Sequence, residues 1–250
     1  NKIYVYDSFS CEESLGFSRH VNEVAKKNNL KNLLRKKKNK IDFYNIFDHY
    51  LNHDIKSGLV IPMQYELHNS ILPSKNKICF MHIDSPKFYE ELKYIYHNFF
   101  PSLKINSIIV FQDYFYHWSG TLVASIQYLI KLKVLMIMNT SASSLTLTLN
   151  KLITFAEFKN LERNMKDLDF VLKMLDEAIL ATNNYMIDRP HIFVPRLLLA
   201  KFQILWENKL FEKATNLLFN YVSKNKVHNL VLYDFLDLMK EGISMREKYE

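Results

Sequence analysis

The chain has 250 residues, 48% of them apolar and 24% charged, which suits one core or a main domain with a smaller one. No apolar run approaches the roughly 18 residues a membrane helix needs; the longest, Val134–Met138, is far shorter, so no membrane span is expected. Four glycines (Gly16, Gly58, Gly120 and Gly242) exclude a glycine-rich phosphate cradle within these residues.

Net charge is +7, and much of it is local: Lys31, Arg35, Lys36, Lys37, Lys38 and Lys40 fall in one short run. Such runs are usually solvated faces. No aromatic side chain interleaves with the lysines, so a stacking platform is not indicated and nucleic acid is not the expected partner. Cys11 and Cys79 give neither a disulfide framework nor metal-ligand spacing. Cys79 lies in an apolar run and reads as a buried thiol. The N-terminus reads as strand and loop rather than as a signal peptide, and a cytoplasmic location is expected.

In chain order, Ile3–Tyr6 (IYVY) reads as a strand that ends at Asp7. Phe17–Asn29 has the spacing of a helix, with Phe17, Val21, Val24 and Ala25 on one face. After the lysine run, Ile41–His53 carries Phe43, Ile46, Phe47 and Tyr50 at three-to-four spacing and predicts a second helix. Leu59–Pro62 reads as a short strand. Ile78–Ile83 (ICFMHI) is nearly continuous apolar sequence, as expected of a strand buried on both faces, and ends at Asp84. Pro86 suits the first turn of a helix whose stripe is Leu92, Ile95, Tyr96 and Phe99. Ile108–Phe111 is a further buried strand, followed by Asp113. A helix with Val123, Ile126 and Ile130 on one side comes next. Val134–Met138 and Leu145–Leu149 then suit an antiparallel hairpin.

Strands alternating with helices indicate an α/β sheet, whose ligands bind beyond the carboxyl ends of the strands. Asp7, Asp84 and Asp113 all fall there. From about Lys151 the pattern is helical only: Asp167–Thr182, Val194–Asn208, Leu210–Lys224 and Leu230–Gly242. Glu207–Tyr221 has the flavour of a helical-hairpin repeat, although an array needs about three units.

The block Met81–Tyr114 (MHIDSPKFYEELKYIYHNFFPSLKINSIIVFQDY) resembles part of the class I methyltransferases related to macrocin O-methyltransferase. There, a fourth strand ending in Asp precedes a Tyr-Glu pair, a Leu-x-Pro-Gly-Gly stretch and a fifth strand ending in Asp-Tyr. Asp84, Tyr89, Glu90, Pro101, Leu103, Asp113 and Tyr114 occupy those places. Val5–Phe9 (VYDSF) resembles the second strand, and Val134–Leu149 stands where the sixth and seventh strands lie. Two places depart from the pattern: Asn106-Ser107 replaces Gly-Gly, and Ser85, Pro86 and Lys87 follow Asp84 where an acidic residue or His is common. The family's first strand and glycine-rich turn would precede Asn1, so a fragment of a longer chain is expected. The resemblance thus implies a Rossmann-like methyltransferase sheet lacking its first strand over residues 1–150. An all-helical region follows over 151–250.

The resemblance assigns Asp7 to the ribose hydroxyls of S-adenosylmethionine. Asp84 becomes the catalytic carboxylate, and Asp84 with Asp113 holds Mg²⁺, which would lower the pKa of an acceptor hydroxyl. Each aspartate also has a plain alternative, capping a turn through its own backbone. His49 and His53, four apart on one helix, are metal-capable in spacing but read better as the polar face of that helix. His82 reads as a hydrogen-bonded core residue. Tyr114, Phe115, Tyr116 and Trp118 suit either an apolar ligand wall or packing beneath a loop. No Ser-His-Asp set or Cys-based zinc motif is present at recognisable spacing.

The expected activity is S-adenosylmethionine-dependent O-methylation of a small hydroxylated acceptor such as a sugar. The alternative is a degenerate methyltransferase scaffold. In that case residues 151–250 bind a protein partner or a second copy of the chain.

Overall fold

The computed structural model describes residues 2–12, 16–65, 69, 77–84, 88–184, 190–236 and 238. It is mixed α/β with several sheets and divides into two compact units, Asn1–Leu72 and Pro73–Glu250.

In the first unit, β1 (Ile3–Asp7) pairs in parallel with a later strand, Val60–Gln64, in the register Ile3↔Val60 to Asp7↔Gln64. Between them run β2 (Ser10–Glu12), α1 (Gly16–Lys27), β3 (Arg35–Lys37), β4 (Lys40–Asp42) and α2 (Tyr44–Lys56). Val60–Gln64 is therefore β5. The three short strands make a second, antiparallel sheet in the order β2-β4-β3.

Periodicity predicts a helix from Ile41, but Ile41 and Asp42 belong to β4, and α2 starts at Tyr44. Ile41 is 1% exposed and pairs with Cys11. The Asp42 carboxylate accepts the Tyr44 N–H at 3.0 Å, a local turn that competes with helix at this point. Phe9, 2% exposed, anchors this unit through edge contacts with the rings of Phe43 and Tyr44 and a tilted contact with Phe47.

The second unit contains β6 (Ile78–Ile83), α3 (Tyr89–Asn98), β7 (Leu103–Phe111), α4 (Gly120–Lys131), β8 (Leu135–Ser141) and β9 (Ser144–Leu149). Its sheet runs β6-β7-β9-β8, with β6 parallel to β7 and the other pairings antiparallel. The expected hairpin is present as β8 and β9. The α3 stripe is buried at Leu92, Ile95, Tyr96 and Phe99. Pro86 lies outside the described residues.

Then follow α5 (Phe155–Asn164), α6 (Leu168–Asn184), α7 (Pro190–Glu207) and α8 (Phe211–Val222), and residues 229–236 are also helical. α4 is the hub of this unit. It packs on α3, β8, α6 and α7, and buries Leu122, Val123, Ala124, Ser125, Ile126 and Leu129. A helix buried nearly all round must be apolar nearly all round, which accounts for its composition. The helices after residue 150 thus share one compact unit with the four-stranded sheet.

β6 differs from the expectation of a strand covered on both faces. Cys79, Phe80 and His82 are exposed, Phe80 at 58%, and only Ile83 is buried. Among the described residues β6 is the edge strand of its sheet, hydrogen-bonded to β7 alone, and an edge strand has fewer covering neighbours. Cys79 is accordingly an exposed thiol, whereas Cys11 is the buried one, its pKa raised by burial. His82 is not a core residue.

Candidate functional site

Asp7 closes β1 at its carboxyl end. One carboxylate oxygen accepts the Phe9 N–H at 2.5 Å, and the Asp7 carbonyl accepts the Tyr65 N–H at 3.2 Å. The turn places Phe9 at φ 51°, a left-handed conformation that the Asp7 bond and the ring cluster together hold. The turn-capping role of Asp7 is therefore real, and it sits at the strand end where the ribose role would require it. The Tyr6 hydroxyl just before it is pushed up to about 12, first by burial and then by Tyr4 and Tyr65.

In the second unit, Asp84 and Asp113 follow neighbouring parallel strands. Ile83 pairs with Phe111, and Gln112 N–H donates to the Ile83 carbonyl at 2.9 Å. Asp84 is exposed; Ser85, Pro86 and Lys87 lie outside the described residues. Asp113 is half-buried with φ 58°, and its Oδ1 accepts from the Ser143 hydroxyl at 2.9 Å. Its carbonyl accepts from the Ser119 hydroxyl at 3.0 Å, and Phe115 N–H donates to the Ser143 carbonyl at 3.1 Å. The β7–α4 loop is thus tied to the tip of the β8–β9 hairpin by both ends of Ser143. Sequence reasoning missed Ser143, because a serine in a hairpin turn carries no signal of a partner 30 residues away.

Asp84 and Asp113 supply two carboxylates, and His49 and His53 two imidazoles, with no third ligand residue grouped with either pair among the described residues. Among the described residues no group of three or more His, Cys, Asp and Glu side chains lies together. One Asp113 oxygen already has a hydroxyl donor. No chemical step is routed through a metal ion here. His49 and His53 are exposed on α2, and His53 lies 3.6 Å from Asp54.

The aromatics after β7 resolve towards packing. Tyr114 and Phe115 are 3% and 1% exposed, and Phe115 stacks on Phe193 of α7 with ring centroids 4.6 Å apart. Trp118 packs against Leu199, Val231 and Leu238. Beside it, His117 is 1% exposed and lies 3.6 Å from Asp234, whose other oxygen accepts from Arg196 Nε at 2.6 Å. Trp118 Nε1–H donates to His117 Nε2, and His117 Nδ1 lies on the side of Asp234. This Trp-His-Asp-Arg array joins the β7–α4 loop, α7 and the helical residues 229–236. It was invisible in sequence, because the His117-Trp118 pair, Arg196 and Asp234 are far apart along the chain and share no motif.

Tyr89, at the place of the family's Tyr-Glu pair, is 5% exposed. Its N–H donates to Thr121 Oγ1 at 2.9 Å, docking the start of α3 on α4. Burial, then Glu162 and Glu90, raises the pKa of its hydroxyl. It is a structural phenol rather than a proton carrier near neutral pH. Among the described residues no helix is long and apolar enough to cross a membrane. No family model matches the chain, and no curated protein matches it.

Proposed function

We propose that this chain carries most of a Rossmann-like class I methyltransferase domain and uses S-adenosylmethionine to methylate a hydroxyl of a small acceptor, such as a sugar. The observation that supports this most is strand order. A doubly wound sheet of order 3-2-1-4-5-6 places its first strand between the second and the fourth. Without that strand, a parallel 3-2 pair and a parallel 4-5 pair remain. Within the first unit β5 and β1 form one parallel pair, and within the second β6 and β7 form another. In both pairs an aspartate stands at or just beyond the carboxyl end. Both parallel pairings are therefore compatible with the resemblance carried by Val5–Phe9 and Met81–Tyr114.

The cofactor supplies an electrophilic methyl group when bound. On this reading Asp7 accepts hydrogen bonds from the ribose diol, and charge assistance makes those bonds short and orienting. Asp84 receives the hydrogen bond of the acceptor hydroxyl and takes its proton as the new bond forms. Asp113, held by Ser143, keeps the neighbouring loop in one conformation. Most of the rate would come from holding two reactants in line.

The test is a thermal-shift titration of the full natural chain with S-adenosylhomocysteine. Ligand at about 100 times its dissociation constant stabilises a fold by roughly 2.7 kcal/mol. A shift is expected, lost in Asp7→Ala and unchanged by EDTA. No shift at millimolar ligand overturns the reading.

A second reading is a scaffold that binds a protein partner through the helical region. It is favoured by the exposed apolar residues Phe211, Phe219 and Val222 of α8 and Leu232, Tyr233 and Leu236 beyond it. Capture of a partner that Phe219→Ser abolishes, with no cofactor shift, would establish it.

A further inference from the structure

We infer that the basic surface built from the end of α1 and the β3–β4 hairpin docks the phosphate backbone of a nucleic-acid duplex, independently of base sequence. The first observation is how the charge is distributed. Residues 26–40 carry eight Lys and Arg and no Asp or Glu, whereas the whole chain is +7, so everything outside this segment sums to −1. The net positive charge of the molecule therefore belongs to one short stretch.

The second observation is that the stretch is folded. α1 ends in Lys26 and Lys27, within the helix expected over Phe17–Asn29; beyond it a single 3₁₀ turn covers Lys31–Leu33, and β3 and β4 form a hairpin with the register Arg35↔Asp42, Lys36↔Ile41 and Lys37↔Lys40, where a loop is expected. Lys38, at φ 54°, makes the hairpin tip. Leu30 N–H donates to the Ala25 carbonyl at 2.7 Å, closing the helix end onto the turn that follows. Ala25 and Ile41, both buried, root the two ends of the stretch in the unit. Cations on an ordered scaffold lose less conformational freedom on meeting a charged surface than cations on a flexible tail.

The third observation identifies the partner. Lys26, Lys27, Lys31, Lys36, Lys38 and Lys40 are exposed, as are Asn28, Asn29, Asn32 and Asn39, whereas Leu30, Leu33 and Leu34 are half-buried. Asparagine amides donate to phosphate and sugar oxygens alongside lysine. No aromatic side chain lies within residues 26–40 to stack on unpaired bases, which disfavours a single strand. No exposed aliphatic or aromatic side chain of the segment can enter a bilayer interface, and stable anchoring to a membrane needs such a second signal beyond charge. A duplex carries one negative charge about every 1.7 Å of its axis and is matched by charge alone. Arg35 has a structural role as well: with the Asn45 amide turned so that its oxygen faces the guanidinium, Arg35 Nε and Nη2 donate to it at 3.0 and 3.3 Å, tying the hairpin to α2.

The inference does not depend on the methyltransferase reading, and its test uses a different ligand. Fluorescence anisotropy of a short DNA duplex of scrambled sequence, titrated with the full chain at several salt concentrations, gives an affinity and a salt slope. With about five phosphates neutralised, affinity should fall roughly 500-fold between 50 and 200 mM salt. Changing Lys27→Gln, Lys31→Gln and Lys38→Gln together should lower the slope by about three. The control triple Lys209→Gln, Lys213→Gln and Lys224→Gln, with the same change in net charge, should leave the slope unchanged. Equal loss in both triples, or binding insensitive to salt, overturns the proposal. So does tight binding to phosphatidylserine vesicles that the duplex does not compete away. Unchanged melting of both triples excludes misfolding as the cause.

Discussion

Gly120→Ala tests how the second unit is packed. Gly120 opens α4 against Ala200 and Ile204 of α7. A Cβ built there lies 2.6 Å from Ile204 Cδ1, 3.2 Å from the Ala200 carbonyl oxygen and 3.3 Å from Ile204 Cγ1. Ile204 is only 8% exposed, so its terminal methyl has little room to swing away, and the Ala200 oxygen is main chain. Two effects compete. Replacing glycine by alanine restricts the unfolded chain and stabilises by about 0.4–1 kcal/mol where the backbone tolerates it. Forcing an extra carbon into a packed contact costs roughly 1–3 kcal/mol. With one contact below any ordinary separation and a second against backbone, the clash should win, leaving a net loss of about 1–2 kcal/mol. For a chain of this size that is a fall in melting temperature of roughly 2–8 °C. Ile204→Val alone should cost about 0.5–1.5 kcal/mol. It removes the Cδ1 atom that the methyl group introduced by Gly120→Ala would strike, so the double variant should be more stable than the sum of the two losses, by at least about 0.5 kcal/mol. Urea unfolding followed by tryptophan fluorescence suits the measurement, because both tryptophans, Trp118 and Trp206, belong to the second unit. Wild-type stability in Gly120→Ala, or strict additivity in the double variant, would refute the packing argument.

Two further predictions concern the helical part of the second unit. Thr154 and Glu157 form a reciprocal capping box at the start of α5, with Glu157 Oε2 accepting the Thr154 N–H at 2.8 Å and Thr154 Oγ1 accepting the Glu157 N–H at 3.2 Å. Thr154→Ala should therefore cost about 1 kcal/mol in urea unfolding. Lys151, then the Thr154 N–H, holds the Glu157 carboxyl below its ordinary value of 4.5. A depressed carboxyl contributes stability that is fully present above its unfolded value and is lost as pH falls through its folded value. The difference in stability between wild type and Glu157→Gln should thus be constant near neutral pH and shrink as the pH falls below about 4.5; a gap that does not narrow on acidification would contradict it. Arg196→Met leaves the Asp234 carboxylate, 12% exposed, without its guanidinium. Loss of one member of a buried pair costs up to about 3–5 kcal/mol, and the remaining exposure of this pair sets the lower end. Hydrogen exchange should accelerate over residues 229–236 well before the four-stranded sheet is affected, and unchanged protection there would show that the array does not hold that helix.

Local sequence determined those elements whose signal is complete within a few residues. Ile78–Ile83 is a strand over the very span its apolar run predicts, the α3 stripe is buried at all four of its positions, and β8 and β9 pair as the hairpin their spacing implies. Asp7, Asp84 and Asp113 stand at strand ends because a strand's last apolar residue also marks where its loop begins. What depends on neighbours distant in the chain was decided only by tertiary structure. The sheet of β2, β4 and β3 consists of three-residue strands, too short for alternation to show, and it forms because Ile41 finds cover that local periodicity cannot foresee. β6 has the composition of a covered strand but lies at the edge of its sheet, and strand order is fixed by pairing rather than by the strand's own residues. The Ser143–Asp113 bond, the contact of Gly120 with Ile204 and the array of Trp118, His117, Asp234 and Arg196 each join residues from separate elements. The apolar pattern of a chain selects its helices and strands. Which of their faces meet, and so which side chains lose water together, is set by the packing of all of them at once.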